Sequence, residues 1–398
     1  LIGSKEAVDL VQRSSTHFFQ RPDADHITYD PQRTALTGVT AGFRFEKISG
    51  GHWLWGFGGQ TESPGFNIND AGILTAVDDI DTWSMLTFRE NLPGPLFHNY
   101  KATVSVSSGW NYGFVRQYAT TGISLQATWK NFYRSALSID YGSGSLNDHL
   151  TRGGPLMRSR DGWNLYGSVS NSYSEDLRWS TWFSYFHDAL GSQSWSTGAG
   201  SSLRTQGRIE FSVEPTYTQN VNVRQYVTTT TEGPPATYGK RYVFATIDQT
   251  TLSARFRFSY AFSPDLTLEL YAEPFAASGA YSGYGTLAAA ASEHLRLYGK
   301  DADSNIDYNE ETGIYSLSDE YGTFTIPNPD FNILSFRSNI VLRWEWIRGS
   351  TLYLVWQQNR ATYEIDGASI GPRDLFRSFD SPGDNFLALK ISYWIPVT

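Results

Sequence analysis

The chain has 398 residues, of which 31 are Lys or Arg and 40 are Asp or Glu; its formal charge is −9, 15% of it is aromatic, and it contains no cysteine. The acidic balance argues against a nucleic-acid partner, which needs a basic footprint, and no disulfide framework can form. Mean hydropathy is −0.37, and no run approaches the ~20 apolar residues of a membrane helix, which excludes a helical membrane protein.

The first thirty residues lack regular alternation and read as one hairpin or a plug-like segment. Asp23, Asp25 and His26 lie close together there. A lone Asp-x-Asp-His group is weak as a metal site, and a turn held by Asx hydrogen bonds fits better. A loop is expected over residues 61–72 and another over 142–161, both rich in Gly, Asp, Asn or Pro. Between and beyond them, residues 101–106, 123–129, 133–141, 163–169 and 177–185 alternate weakly between apolar and polar.

The pattern then sharpens. Ile209, Phe211, Val213 and Tyr217 alternate with Arg208, Glu210, Ser212 and Glu214. Beyond a loop over 228–239, Leu252, Ala254, Phe256, Phe258 and Tyr260 alternate with Ser253, Arg255, Arg257 and Ser259. A Ser263-Pro264-Asp265 turn leads to Leu266, Leu268, Leu270 and Ala272, set against Thr267, Glu269, Tyr271 and Glu273.

The long loop expected over 281–331 carries two motif look-alikes. Gly283-Tyr284-Gly285 and the alanines at 288–291 imitate a dinucleotide fingerprint opening a helix, without the βαβ context it needs; a short helix in an external loop is expected. Asp301, Asp303, Asn305, Asp307 and Asn309 have calcium-loop spacing, but Ile306 stands where Gly is needed and Thr312 where a bidentate Glu is needed. A solvated acidic loop is the better reading.

Residues 334–347, LSFRSNIVLRWEWI, give the clearest strand. Leu334, Phe336, Ile340, Leu342, Trp344 and Trp346 share one face, and Arg337, Arg343 and Glu345 share the other. The loop over 361–384 contains Gly367-Ala368-Ser369-Ile370-Gly371, a G-x-S-x-G spacing whose polar flank and Pro372 argue against a nucleophile elbow. The last strand sets Leu387, Leu389, Ile391, Tyr393 and Ile395 against Ala388, Lys390 and Ser392.

About fourteen such segments, most of ~9–13 residues, have the length that a tilted strand needs to cross a bilayer; strands of globular sheets peak at ~5–6 residues. The expected fold is all-β: a transmembrane antiparallel up-and-down β-barrel of about 14–16 strands with long extracellular loops. On it Phe256, Phe258, Leu342, Trp344, Trp346, Trp356 and Tyr393 would face lipid or form the aromatic girdle. Arg208, Glu210, Glu214, Arg255, Arg257, Glu269, Glu273, Arg337, Arg343 and Glu345 would face the lumen, together with Arg134 and Arg178. Their near-balanced signs favour cross-strand bracing over a strongly ion-selective pore. The alternative is a secreted all-β sandwich in which the apolar face is core. No Ser/His/acid or metal constellation stands out, so neither enzyme activity nor a cofactor is expected.

Several stretches resemble a family of large bacterial outer-membrane proteins. They include QRSSTHFFQRPDADH (12–26), GGHW and SPGFNINDAG within 50–72, SGWN (108–111) and RGGPLM (152–157). Longer ones are YVFATIDQTTLSARFRFSYAFSPDLTLELYAEPF (242–275), NPDFNILSFRSNIVLRWEWIRGSTLYLVWQQNR (328–360) and DNFLALKISYW (384–394). The resemblance implies a C-terminal β-barrel domain of uncharacterised function, usually following a sandwich similar to a family 9 carbohydrate-binding module. The chain is thus expected to be one barrel domain over 1–398, with 1–30 less regular and the upstream domain outside this sequence. It opens at Leu1 without a signal-peptide pattern, so a processed or partial form of an exported protein is expected. The expected location is the outer membrane of a Gram-negative bacterium, with lipid, other envelope proteins or surface glycans as partners and no nucleic acid. The expected role is porin-like solute passage or anchoring of an envelope assembly; the alternative is a non-conducting scaffold whose loops bind a protein or glycan.

Overall fold

A computed structural model describes residues 1–68, 72–205, 207–301 and 303–395. Residues 69–71 of the loop expected over 61–72 lie outside the described residues. The N-terminal segment holds a helix, α1 (Lys5–Arg13), where a hairpin or plug was expected. The Ser4 hydroxyl caps it by accepting from Ala7 N at 3.3 Å, and Glu6 and Arg13 sit where the helix dipole favours their charges.

Six antiparallel neighbours follow: β1 (Thr40–Lys47), β2 (Trp53–Glu62), β3 (Asp79–Glu90), β4 (Phe97–Trp110), β5 (Arg116–Trp129) and β6 (Arg134–Gly142). The next loop holds a small ribbon of β7 (Leu146–Asn147) and β8 (Met157–Arg158). The main sheet resumes with β9 (Gly162–Ser170), β10 (Leu177–Asp188), β11 (Gln193–Thr205), β12 (Ile209–Thr231), β13 (Lys240–Ser263) and β14 (Leu266–Leu287). The short β15 (Leu295–Leu297) pairs with the end of β14. β16 (Asn305–Asn309), β17 (Ile314–Asp319) and β18 (Gly322–Pro327) form a separate three-stranded sheet. β19 (Phe331–Ile347), β20 (Ser350–Glu364) and β21 (Gly383–Ser392) complete the main sheet, with a helix, α2 (Pro372–Arg377), in the loop between the last two.

Among the described residues the main sheet is one meander of fifteen long strands, each paired with its neighbours along the chain. Its connections are sorted by length. Those after β1, β3, β5, β9, β11, β13 and β19 have six residues or fewer. The long ones, 63–78, 143–161, 288–330 and 365–382, all leave from the opposite end. The two ends are called here the turn end and the loop end. The two-residue turn Arg348-Gly349 uses left-handed backbone, supplied by Gly349 at φ +80°.

Among the described residues β1 pairs only with β2 and β21 only with β20. The sheet therefore ends in two free edges, where the sequence led us to expect a closed barrel. β1 and β21 both run from the loop end to the turn end.

The sandwich alternative fails on packing. Among the described residues no second sheet covers the apolar face of the meander, and the solvent-accessible surface is 22764 Å². A globular chain of this size exposes roughly 15,600 Å². The buried clusters lie at the loop end instead. One joins Met157, Tyr242, Phe244, Leu287 and Leu295; another joins Ala245, Tyr284, Tyr298, Leu317 and Ile326; the third joins Val8, Phe19 and Leu36.

Two local expectations fail there. β14 runs through Gly283-Tyr284-Gly285, and residues 288–294 form no helix. Their amides are used by other loops: Ala290 N donates to Ala236 O at 2.9 Å and Ala291 N to Leu156 O at 2.8 Å. Leu334 and Phe336 are buried, not free for lipid, because the β20–β21 loop folds over them and sets Phe379 at 4.5 Å from the Phe336 ring.

The three-stranded sheet is pinned to β13 by Arg241. This buried guanidinium donates to both Asp319 oxygens, at 2.9 and 2.6 Å, and to the carbonyls of Thr231 and Gly322. Removing it would leave Asp319, whose side chain is 7% exposed, without its cation and with only Tyr298 Oη and Tyr321 N as donors. Arg241→Met is expected to cost about 3–5 kcal/mol locally and to raise hydrogen exchange across 305–327 while the main sheet stays protected.

Candidate functional site

Register decides which side chains share a surface. Phe211, Phe258, Leu270, Ile340, Trp356 and Leu387 stand opposite one another in a single row across six strands. Val213 and Phe256 form part of the next row. On the other side of that row Leu268, Leu342 and Leu354 align, followed by Leu266, Trp344 and Leu352. The same face continues through Phe183, Ile139, Ile123, Val104, Leu86 and Trp55 to Phe45, all of them exposed. Trp346 lies at a register shift, 6.3 Å from Trp344, and exposed Tyr393 stands just beyond β21.

The charged residues singled out in the sequence fall on the opposite face. Arg255 lies 3.2 Å from Glu214 and 3.7 Å from Glu273, and Glu273 stands opposite Arg337. Glu210 pairs with Arg204 at 2.8 Å, and Arg343 with Glu345 at 2.9 Å. Arg257 lies 6.0 Å from the Tyr271 ring, and Glu269 stands opposite Ser259 and Val341. Arg208 is displaced from its expected place: it sits in the tight turn before β12, its amide donating to Thr205 O. These pairs are partly exposed, so each contributes at most about 1 kcal/mol.

Sequence reasoning missed a second site at the loop end. Arg21 is buried and pairs with both Asp78 and Asp148, themselves buried. His26 Nε2 reaches both Asp78 oxygens at 2.9 Å, and His149 Nδ1 lies 2.7 Å from Asp148. Asn111 Nδ2 donates to Asp148 at 3.2 Å, and Tyr112 N donates to Asp78 at 3.1 Å. The cluster thus ties the N-terminal segment to three loops. Its two carboxylates lie 57 and 127 positions from Arg21, so no local sequence signal joins them to it. Burial alone would raise the Asp148 pKa, but the hydrogen bond from His149, the Arg21 charge and Asn111 hold it below the usual aspartate range.

The Asp23-Ala24-Asp25-His26 stretch is split by the fold. Asp23 accepts from Leu156 N at 2.6 Å, its pKa raised by burial; His26 joins the Arg21 cluster; Asp25 is exposed. Asn305, Asp307 and Asn309 lie along β16, where alternate side chains stand roughly 6.6 Å apart, so they do not wrap one centre. Ser369 sits in the loop before α2.

A family profile described as a domain of unknown function (DUF5916) matches residues 7–398. The chain belongs to this family. No curated protein matches its sequence. Among solved structures, one match is described as "Copper transporter OprC", with 10% identity and a TM-score of 0.34. The match covers 86% of the DUF5916 chain and 64% of that protein's chain. So loose a superposition fixes neither fold nor cargo.

The Arg21 cluster makes the loop end of this DUF5916 domain sensitive to charge. Arg21→Gln would leave two buried carboxylates without their cation, a loss of about 3–5 kcal/mol. Trypsin is then expected to cut within residues 1–39 while the strands stay intact; an unchanged digest would count against the cluster. Asp148 binds its proton less readily folded than unfolded. Its contribution is therefore complete above the ordinary value of 3.8 and is lost as pH falls through its lower folded value. Asp23, raised by burial, acts in the opposite sense. Hydrogen exchange across 143–161 is expected to rise at acid pH, and Asp148→Asn should flatten that dependence.

Proposed function

We propose that this domain is the wall of an outer-membrane β-barrel in a Gram-negative envelope and that its polar face lines a path for solutes. One observation carries this reading: an apolar face exposed on strand after strand, from Phe45 to Leu387, and backed by a largely polar one. Water-soluble proteins rarely expose a contiguous apolar patch beyond a few hundred Å². A membrane barrel requires such a face, because it meets lipid while the lumen stays wet. The sorting of tight turns to one end and long loops to the other supports the same reading. No helix of the described residues is long and apolar enough to cross a membrane, so strands would do the crossing. On this reading Phe256, Phe258, Leu342, Trp344, Trp346, Trp356 and Tyr393 face lipid or its interface. Glu210, Glu214, Arg255, Arg257, Glu269, Glu273, Arg337, Arg343 and Glu345 face the lumen, with Arg208 at its turn-end rim. On this reading the domain has no catalytic role.

Leu342→Arg should cost about 2–4 kcal/mol at mid-bilayer and cut folding yield into lipid vesicles, read by heat-dependent gel mobility. Gln357→Arg, on the other face, should fold normally. Equal behaviour of the two would sink the face assignment. Single-channel recordings in planar bilayers test passage itself. Discrete conductance steps that change in Arg255→Gln, Arg257→Gln and Arg343→Gln variants are expected. A folded, inserted and silent protein would leave the scaffold reading, with the loops between β14 and β19 and between β20 and β21 as the surfaces for a partner.

A further inference from the structure

The charges of the polar face are not used uniformly. Between β12 and β19 most have an opposite partner within 4 Å, whereas on β3, β4 and β6 the cations do not. Arg89 and Lys101 stand directly opposite each other in register. Like charges in that position destabilise a sheet. Arg134 lies close by, on β6, with its guanidinium over the Tyr173 ring at 4.2 Å. All three line one recess of about 540 Å³ at the turn end of the polar face, together with Asn99, Gln126, Thr128 and Ser168. Among the described residues none of the three has a carboxylate within 4 Å. Glu90, next to Arg89 in sequence, alternates to the other face and approaches His52 at 3.3 Å. Arg89 Nε is buried and has no hydrogen-bond partner. A buried donor on a charged group left unpaired is costly.

We propose that Arg89, Lys101 and Arg134 form a binding site for an oxyanion, the carboxylate or phosphate of a small hydroxylated solute. A guanidinium offers a planar fork of N–H donors to two oxygens of such a group, and the ammonium adds a point charge beside it. An anion between Arg89 and Lys101 removes their mutual repulsion and satisfies Nε. The amides of Asn99 and Gln126 and the hydroxyls of Thr128 and Ser168 surround it with groups suited to a hydroxylated body. The site deepens the solute-passage reading and rests on it for its access to solute.

Two measurements separate the inference from the reading beneath it. The first is calorimetric titration of inorganic phosphate and of gluconate into detergent-folded protein. It compares the unaltered chain with Arg89→Gln, with Lys101→Gln, and with Arg255→Gln as a control in the braced region. Affinity for at least one anion should fall about tenfold or more in the first two variants and stay unchanged in the third. Lys101 is exposed, so its variant keeps the test meaningful should Arg89→Gln fail to fold. The second is the reversal potential in a KCl gradient, where chloride preference should fall in Lys101→Gln. Binding that ignores both substitutions, or no binding of either anion, overturns the site even if the protein conducts. A silent protein that binds phosphate or gluconate through Arg89 and Lys101 keeps the site and overturns the passage reading.

Discussion

A period of two, held in register from one strand to the next, is the constraint on which everything else in this molecule depends. Had any strand slipped by one residue, its apolar set would have moved to the charged face and its charges to the apolar one. The row from Phe211 to Leu387 shows the consequence over six strands. Each residue in it is apolar although the strands share no common sequence. Backbone hydrogen bonding fixes the register, tight turns such as Arg348-Gly349 allow little slack, and the side chains then inherit their surface.

The loop end is governed by different physics. There the chain leaves the ladder and must satisfy its backbone and charges by long-range contacts. Buried arginines do this twice: Arg21 gathers three loops around two carboxylates, and Arg241 clamps a small sheet to the extension of β13. Each such pair is costly to desolvate and costlier still to break, which favours a defined arrangement over many loosely packed ones. The middle of the polar face differs again. Its arginines and glutamates alternate between neighbouring strands and neutralise one another while remaining partly exposed.

The sequence was legible where alternation was strict and local. Residues 334–347 show their strand directly, and the lengths and number of the segments foretell the long antiparallel sheet. β2 is harder to read because Gly56, Gly58 and Gly59 blunt its pattern. α1 is hard to read although Ser4, Glu6 and Arg13 mark its ends, since it has only nine residues and exposed Leu10 falls away from the face of Val8 and Val11. The alanines at 288–291 misled in the other direction, because their helix propensity yields to hydrogen bonds with residues far away in sequence. The Arg21 cluster was invisible for the same reason, and Arg89 and Lys101 look unremarkable until pairing sets them face to face.

The directions of the two free edges have a consequence for how the sheet can be completed. The described residues give the sheet fifteen strands, an odd number, so β1 and β21 point the same way. Joining them directly would make a single parallel seam in a sheet that is otherwise antiparallel throughout. A ring in which every pair stays antiparallel must hold an even number of strands, so it admits one additional strand, or three, between these edges and never two.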